Sequence, residues 1–271
     1  MLEEFHEGEI VGKYVITTPI LGEGGTGVVS LAKDSEGKFC AIKFLSVKDN
    51  SKYIEHFKTE YRRLIGLSHP NVAKALDFGF YKDFLYLVTE YIEGEDLIHS
   101  TYYLTPEAII PLFLQVLEGL CYIHKNGFAH LDMKPENILV QKDNQKVKII
   151  DLGVAETIGS FKNMGQGTVP FIPPEIVMKL DAEVDARADL FSLAATIYTC
   201  LTRGKLPFGL RNNAIKNGAV DYELLNNIVA NEPHPRPISD YRRNVPEHLD
   251  GIIQGLLMKR PCDRQYKTAR A

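Results

Sequence analysis

The tightest constraint on this chain is the run His130-Leu131-Asp132-Met133-Lys134-Pro135-Glu136-Asn137, followed by Asp151-Leu152-Gly153. Asp132, Lys134 and Asn137 crowd into a turn between a helical segment and the extended piece 137–140. Asp151 follows the next extended piece, 147–150, just ahead of a glycine. An Asn and an Asp at adjacent strand ends can hold Mg²⁺ through oxygen, alongside waters and phosphate oxygens. An Asp nearby can orient a hydroxyl and accept its proton, and a Lys can balance charge on a moving phosphoryl group. A purely structural turn also uses Asp, Lys, Pro and Asn. It does not need this spacing repeated beside an Asp-Leu-Gly turn.

The surrounding pattern predicts a change of character along the chain. Segments 14–21, 28–32 and 38–45 have the alternation of half-buried strands, with turns at the glycines after Leu21 and at residues 34–37. A helix is expected next, capped by Asn50 or Ser51, with Ile54, Phe57, Tyr61, Leu64 and Ile65 at helical spacing. Gly66 and the turn His69-Pro70-Asn71 close it, and strands follow near 74–80 and 84–91. Beyond residue 95 the pattern turns helical. A long helix opens at Pro106 and ends near Gly127, another spans 186–201, and later ones are expected near 222–229 and 247–258. The expected order is a β-rich lobe over 1–89, a hinge at 90–95 and an α-rich lobe over 96–271. A cleft between two such lobes is a common place for a ligand.

Two further features belong to the small lobe. Gly22-Glu23-Gly24-Gly25-Thr26-Gly27 lies between two strands, where glycines let backbone amides approach a phosphate chain. Such a cluster is by itself more often a tight hairpin, and no helix follows it as a dinucleotide fold would need. Lys43, in Ala41-Ile42-Lys43, shares a strand face with Ala41 and Leu45, so its ammonium needs an anionic partner. Glu60 falls on the apolar stripe of Phe57 and Leu64 and is the candidate.

Composition narrows the partners. With 271 residues, 45% of them hydrophobic, the chain can fill a sizeable core, and a net charge of −4 offers no broad basic field for nucleic acid or anionic membrane. The acidic start is unlike a signal peptide, and the apolar run 190–201 is too short and too polar to span a bilayer. Cys40, Cys121, Cys200 and Cys262 are too far apart in sequence for a zinc knuckle or redox pair, which suits reduced packing cysteines in a cytoplasmic protein.

Taken in order, Gly22 to Val29, Ala41-Ile42-Lys43, His130-Leu131-Asp132 with Asn137, Asp151-Leu152-Gly153 and Pro173-Pro174-Glu175 resemble the eukaryotic-like protein kinase family of the Ser/Thr type, over nearly the whole chain. The resemblance implies an α+β, bilobal kinase fold that uses ATP and Mg²⁺ (or Mn²⁺) and phosphorylates protein Ser/Thr hydroxyls. Gly22, Gly24 and Gly27 would cover the phosphates, and Lys43, paired with Glu60, would contact them. Leu21, Val29, Ala41 and Leu139 would sandwich adenine, Glu90 and Ile92 would bind it through backbone, Thr89 would be the gatekeeper and Asp96 would hold the ribose. Asp132 would be the catalytic base, with Lys134 and Thr168 beside it, and Asn137 and Asp151 the metal ligands. Asp189 resembles the Asp that braces the catalytic loop, and Glu175 with Arg264 a buried ion pair. Lys134 and the Gly167-Thr168 segment are the Ser/Thr choice.

Three departures matter. Leu131 replaces the Arg that in the family pairs with an activation-segment phosphate, so activity is expected without phosphorylation of that segment. Leu152 replaces Phe, and Pro173 replaces Ala. The chain ends seven residues after Arg264, which suggests a piece of a longer protein, and Phe191, where the family places Trp, suggests a divergent bacterial member. Two alternatives compete. An inactive nucleotide-binding scaffold would be expected to lose one of Lys43, Asp132, Asn137 or Asp151. A small-molecule phosphotransferase would generally lack the 167–175 segment.

Overall fold

The alternating apolar residues of the first ninety positions build one antiparallel sheet. In a computed structural model, the described residues are 5–24, 27–46, 61, 64–152, 155–160, 171–177, 183–209, 215–216, 219–220, 234–264, 266–267 and 269. They belong to two units, one of Met1–His69 with Ala73–Glu93, the other of Pro70–Val72 with Gly94–Ala271.

The smaller unit is a six-stranded sheet in the order β1-β2-β3-β4-β6-β5. Its strands are β1 (Ile10–Val11), β2 (Tyr14–Gly24), β3 (Gly27–Lys33), β4 (Phe39–Ser46), β5 (Ala75–Tyr81) and β6 (Phe84–Glu90). The β3–β4 turn forms because Asp34 Oδ1 accepts from the amides of Glu36 and Lys38, each at 2.9 Å. One face of the sheet carries Val11, Tyr14, Ile16, Ala32, Cys40, Ile42, Phe44, Phe84, Tyr86 and Val88 in a single apolar cluster. Burying side chains such as Ile42 and Phe44 contributes about 1.5–3 kcal/mol each. The strand β1 and the segment leading into it were not expected. Of the helix expected over 51–65, Tyr61, Leu64 and Ile65 are described and helical. Glu60 lies outside the described residues, as does the helix expected near 222–229.

In the larger unit, β7 (Gly94–Asp96), β9 (Ile138–Gln141) and β10 (Val147–Ile149) form a sheet in the order β10-β9-β7. The acidic stretch around Gly94 reads from sequence as a break, yet it pairs with β9 as a strand. A short helix α1 (Leu97–Thr101) follows at once, and α2 (Pro106–Lys125) starts at Thr105, whose hydroxyl caps the amide of Ala108. By length and apolarity α2 could cross a bilayer. Its buried face, Ile109, Leu112, Phe113, Val116, Leu120 and Ile123, makes it a core helix instead. A two-strand pair joins β8 (Phe128–Ala129) to β11 (Glu156–Thr157), and β12 (Ile215–Lys216) pairs with β13 (Ala219–Val220).

Asn71 does more than turn the chain. Its Nδ2 donates to the Val147 carbonyl at 2.9 Å and its own carbonyl accepts from Ile149 at 2.8 Å, while Val72 bridges Ile149 in parallel. Helix α2 approaches so closely that a Cβ on Gly119 would lie 2.9 Å from the Asn71 carbonyl oxygen.

After α3 (Pro174–Val177) comes α4 (Ala186–Leu201), which is buried almost all round. Its Ser and Thr hydroxyls survive there because each finds a carbonyl one turn back, and the Tyr198 hydroxyl donates to the Arg236 carbonyl at 2.9 Å. Thr196, Thr199 and Thr202 donate to Ser192, Ala195 and Tyr198 at 2.9, 2.8 and 2.7 Å. The last α-helix among the described residues is α5 (Glu247–Leu256).

One buried ion pair joins α3 to the end of the chain. Arg264 Nη1 and Nη2 meet Glu175 Oε1 and Oε2 at 2.7 and 2.6 Å, and Arg264 also donates to the carbonyls of Arg187 and Met258. The Phe191 ring lies 5.0 Å from the guanidinium. Removing one partner leaves a buried charge, so Arg264→Met should cost about 3–5 kcal/mol in chemical denaturation. The double variant Glu175→Gln/Arg264→Met should recover part of that loss. Equal unfolding midpoints for wild type and Arg264→Met would contradict the account.

Candidate active site

Cross-strand register aligns the candidate nucleotide residues of the smaller unit. Gly22 sits opposite Val29, Val29 opposite Lys43, and Lys43 opposite Leu87. The neighbouring row is Leu31, Ala41 and Thr89. Directly opposed residues point to the same side, so Val29, Ala41, Lys43 and Thr89 share the face turned away from the apolar cluster. Lys43 is 8% exposed there. The glycine turn closes with Gly24 opposite Gly27. Gly27 has φ +138°, and a Cβ on it would overlap the Phe44 carbonyl oxygen, so glycine is required. Leu21 is half exposed and Ile92 buried. The Glu90 amide donates to the Lys74 carbonyl at 2.9 Å, and its Oε1 accepts from the Lys74 amide at 2.8 Å.

In the larger unit the site is built around Asp189, a fully buried carboxylate on the first turn of α4. Its Oδ2 accepts from the His130 amide and from His124 Nε2, and its Oδ1 from the Leu131 amide, all at 2.7 Å. Burial pushes this carboxyl up, but the His124 hydrogen bond, the imidazoles of His124 and His130 and the Leu131 amide outweigh it and hold it below the usual range. The anchored backbone turns sharply, with Leu131 at φ 63°. A left-handed non-glycine residue costs about 1–2 kcal/mol, which the charge-assisted bonds offset. His130 Nδ1 accepts from the Asp132 amide at 3.3 Å, so its Nε2 carries the proton donated to the Ile150 carbonyl at 3.0 Å.

That turn presents Asp132. Its Oδ2 receives Lys134 Nζ at 3.0 Å and Asn137 Nδ2 at 2.9 Å, and Asn137 Nδ2 also reaches the Asp132 carbonyl at 2.8 Å. Because Asn137 donates through Nδ2, its Oδ1 is the atom a cation would take. The β9–β10 ladder then carries Asn137 to Asp151. Ile138 pairs with Ile149, and the Asn137 carbonyl accepts from the Ile150 amide at 2.9 Å. Asp151 follows at φ 62°. An amide oxygen and a carboxylate at neighbouring strand ends suit Mg²⁺, which takes one or two protein carboxylates and fills its remaining positions with water and phosphate.

Asp96 lies opposite Leu139 in the β7–β9 pairing. It caps α1 by accepting from the His99 amide at 2.9 Å and holds His99 Nδ1 at 2.7 Å. The hydrogen bond and charge of Asp96 raise the exposed imidazole above its ordinary value.

Leu131, where a cation stands in the kinases it resembles, is buried with Ala129, Val184 and Ala188, and Ile158 packs on them. Backbone bonds run through the same place. Ile158 donates to Gly127 at 2.8 Å, Gly159 to Val184 at 2.9 Å, and Val184 to Ser160 at 2.8 Å. Gly153, Gly167 and Thr168 lie outside the described residues. Sequence reasoning missed His124, whose only signal is a polar ring four residues after Leu120 on an apolar stripe.

Residues 15–269 match the protein kinase domain family. A probable serine/threonine-protein kinase of Clostridium perfringens is 32% identical over 273 residues, covering 97% of this chain and 38% of that protein. Serine/threonine-protein kinase pkn2 of Myxococcus xanthus is 35% identical over 211 residues, covering 73% and 25%. The chain therefore spans well under half the length of these two relatives. Among solved structures, the PknI kinase domain of Mycobacterium tuberculosis superposes with a TM-score of 0.70 at 22% identity, over 98% of this chain and 96% of that one. Its likeness is in fold, and it agrees with a sheet-rich unit followed by a helical one. By the extent of the family match and by its fold, this chain belongs to the protein kinase domain family.

Proposed function

We propose that this chain is a serine/threonine protein kinase that transfers the γ-phosphoryl group of ATP to a protein hydroxyl. The observation that carries this reading is Asp132, buried, bonded by Lys134 and Asn137, on a turn anchored to Asp189. Asp132 would orient the acceptor hydroxyl and take its proton, and Lys134 would balance charge on the transferring group. In the smaller unit, Gly22, Gly24 and Gly27 would cover the phosphates and Lys43 would contact them. Val29, Ala41 and Leu21, with Leu139 of the larger unit, would enclose adenine. Glu90 and Ile92 would bind it through backbone, Thr89 would act as gatekeeper and Asp96 would hold the ribose. Asn137 Oδ1 and the Asp151 carboxylate would hold Mg²⁺, which when bound neutralises phosphate charge. The reading also includes Glu60 as partner of Lys43 and Thr168 beside Asp132. Four cysteines without a disulfide support a cytoplasmic setting. The limited share of each relative's length supports further domains in a longer parent chain.

The test is Mg²⁺-ATP labelling of the protein and a generic acceptor, followed by identification of the phosphorylated residue type. Phosphoserine or phosphothreonine is expected, and Asp132→Asn should reduce the rate about 100-fold or more in a protein that still folds. Transfer by Asp132→Asn at the wild-type rate would refute the assignment.

The apolar packing of Leu131 with Ile158 supports activity without a phosphate on the segment after Asp151. Phosphatase-treated protein, Thr157→Ala and Ser160→Ala should each retain most activity. Loss of most activity in those samples would overturn this part of the reading.

A further inference from the structure

The segment before β1 is not an idle leader. Phe5 is buried and stacks on Phe44 with ring centroids 4.0 Å apart at 21°, and it meets Phe84 edge-on at 5.3 Å. The segment is fastened alongside by Glu9, which accepts from Lys82 Nζ at 2.6 Å and from the Tyr81 hydroxyl at 2.9 Å. Lys82 Nζ also lies 5.9 Å from the Phe5 ring centroid. Backbone bonds from Gly8 to Ile16 at 2.8 Å and from Ile16 to Glu9 at 2.9 Å tie it to β2.

What lies under Phe5 matters more than the burial. Phe44 follows Lys43 on β4, so their Cα atoms flank one peptide unit and their side chains point to opposite faces. The Phe44 carbonyl oxygen is also the atom against which Gly27 packs without room for a Cβ. One residue thus carries Phe5 on its ring, the last glycine of the turn on its carbonyl, and Lys43 on its amino side. A shift of the Phe44 backbone would displace both elements assigned to the phosphates.

We propose that Phe5 is a positioning residue for nucleotide binding, acting through Phe44 to set Lys43 and the glycine turn. This rests on the reading of Lys43 and the turn as phosphate contacts. Asp132 and its neighbours belong to the other unit, so the effect falls on nucleotide affinity and leaves the chemical step alone.

The experiment measures ATP affinity, KM for ATP and kcat for wild type, Phe5→Ala, Phe5→Leu, Lys43→Ala and the control Leu76→Ala. Leu76 packs against the same apolar cluster from β5. All are assayed well below their own melting temperatures. Phe5→Ala should weaken ATP binding and raise KM about fivefold or more with kcat kept, Phe5→Leu should recover part of the loss, and Leu76→Ala should lower the melting temperature with KM unchanged. If Phe5→Ala does not fold, Lys82→Ala, which only loosens the fastening, should shift KM in the same direction by less. Wild-type affinity in Phe5→Ala or in Lys82→Ala, alongside an impaired Lys43→Ala, would overturn the positioning role and leave the phosphate reading intact. Wild-type affinity in Lys43→Ala would overturn both.

Discussion

The candidate chemistry depends on one buried carboxylate. Asp189 is fully buried, and it stays ionised because the His130 and Leu131 amides and the His124 imidazole supply hydrogen bonds to it. Those bonds hold Leu131 in the left-handed region, and that turn aims Asp132 at Lys134 and Asn137. A mispaired carboxylate at this depth would cost more than the strained turn does, so the bonds keep the turn in place.

The constraint reaches outward along α4. The helix that carries Asp189 is buried on nearly every side, and the Tyr198 hydroxyl donates to the Arg236 carbonyl at 2.9 Å, so a shift of the helix would break packing and a buried bond together. Thr196 on this helix also donates to the Met133 carbonyl at 3.2 Å, a second tie to the same loop. The residue after His130 packs on Ile158 and Val184, so the loop and the segment that follows Asp151 share an apolar anchor. The smaller unit uses a different device, cross-strand register, to put Val29, Lys43 and Thr89 on one face.

Much of this was legible in the sequence because it is local or periodic. The strand alternation around Ile42, the span of α4 and the spacing of Asp132, Asn137 and Asp151 are written in neighbouring residues. Phe5, Asn71 and His124 were not, because each acts through contacts or hydrogen bonds with residues far along the chain and leaves no period. The pairing of Phe128–Ala129 with Glu156–Thr157 is too short to show alternation. The acidic stretch at Gly94–Asp96 looked like a break because the backbone pairing that makes it a strand comes from β9.

The central claim is that the Asp189 bonds set the position of Asp132, and Asp189→Asn tests it most directly, by amide exchange at His130 and Leu131 together with kcat and KM for ATP. The account predicts faster exchange at both amides and a kcat lowered about 100-fold, with KM little changed. A folded variant with wild-type protection at those amides, or with kcat within about twofold of wild type, would contradict it.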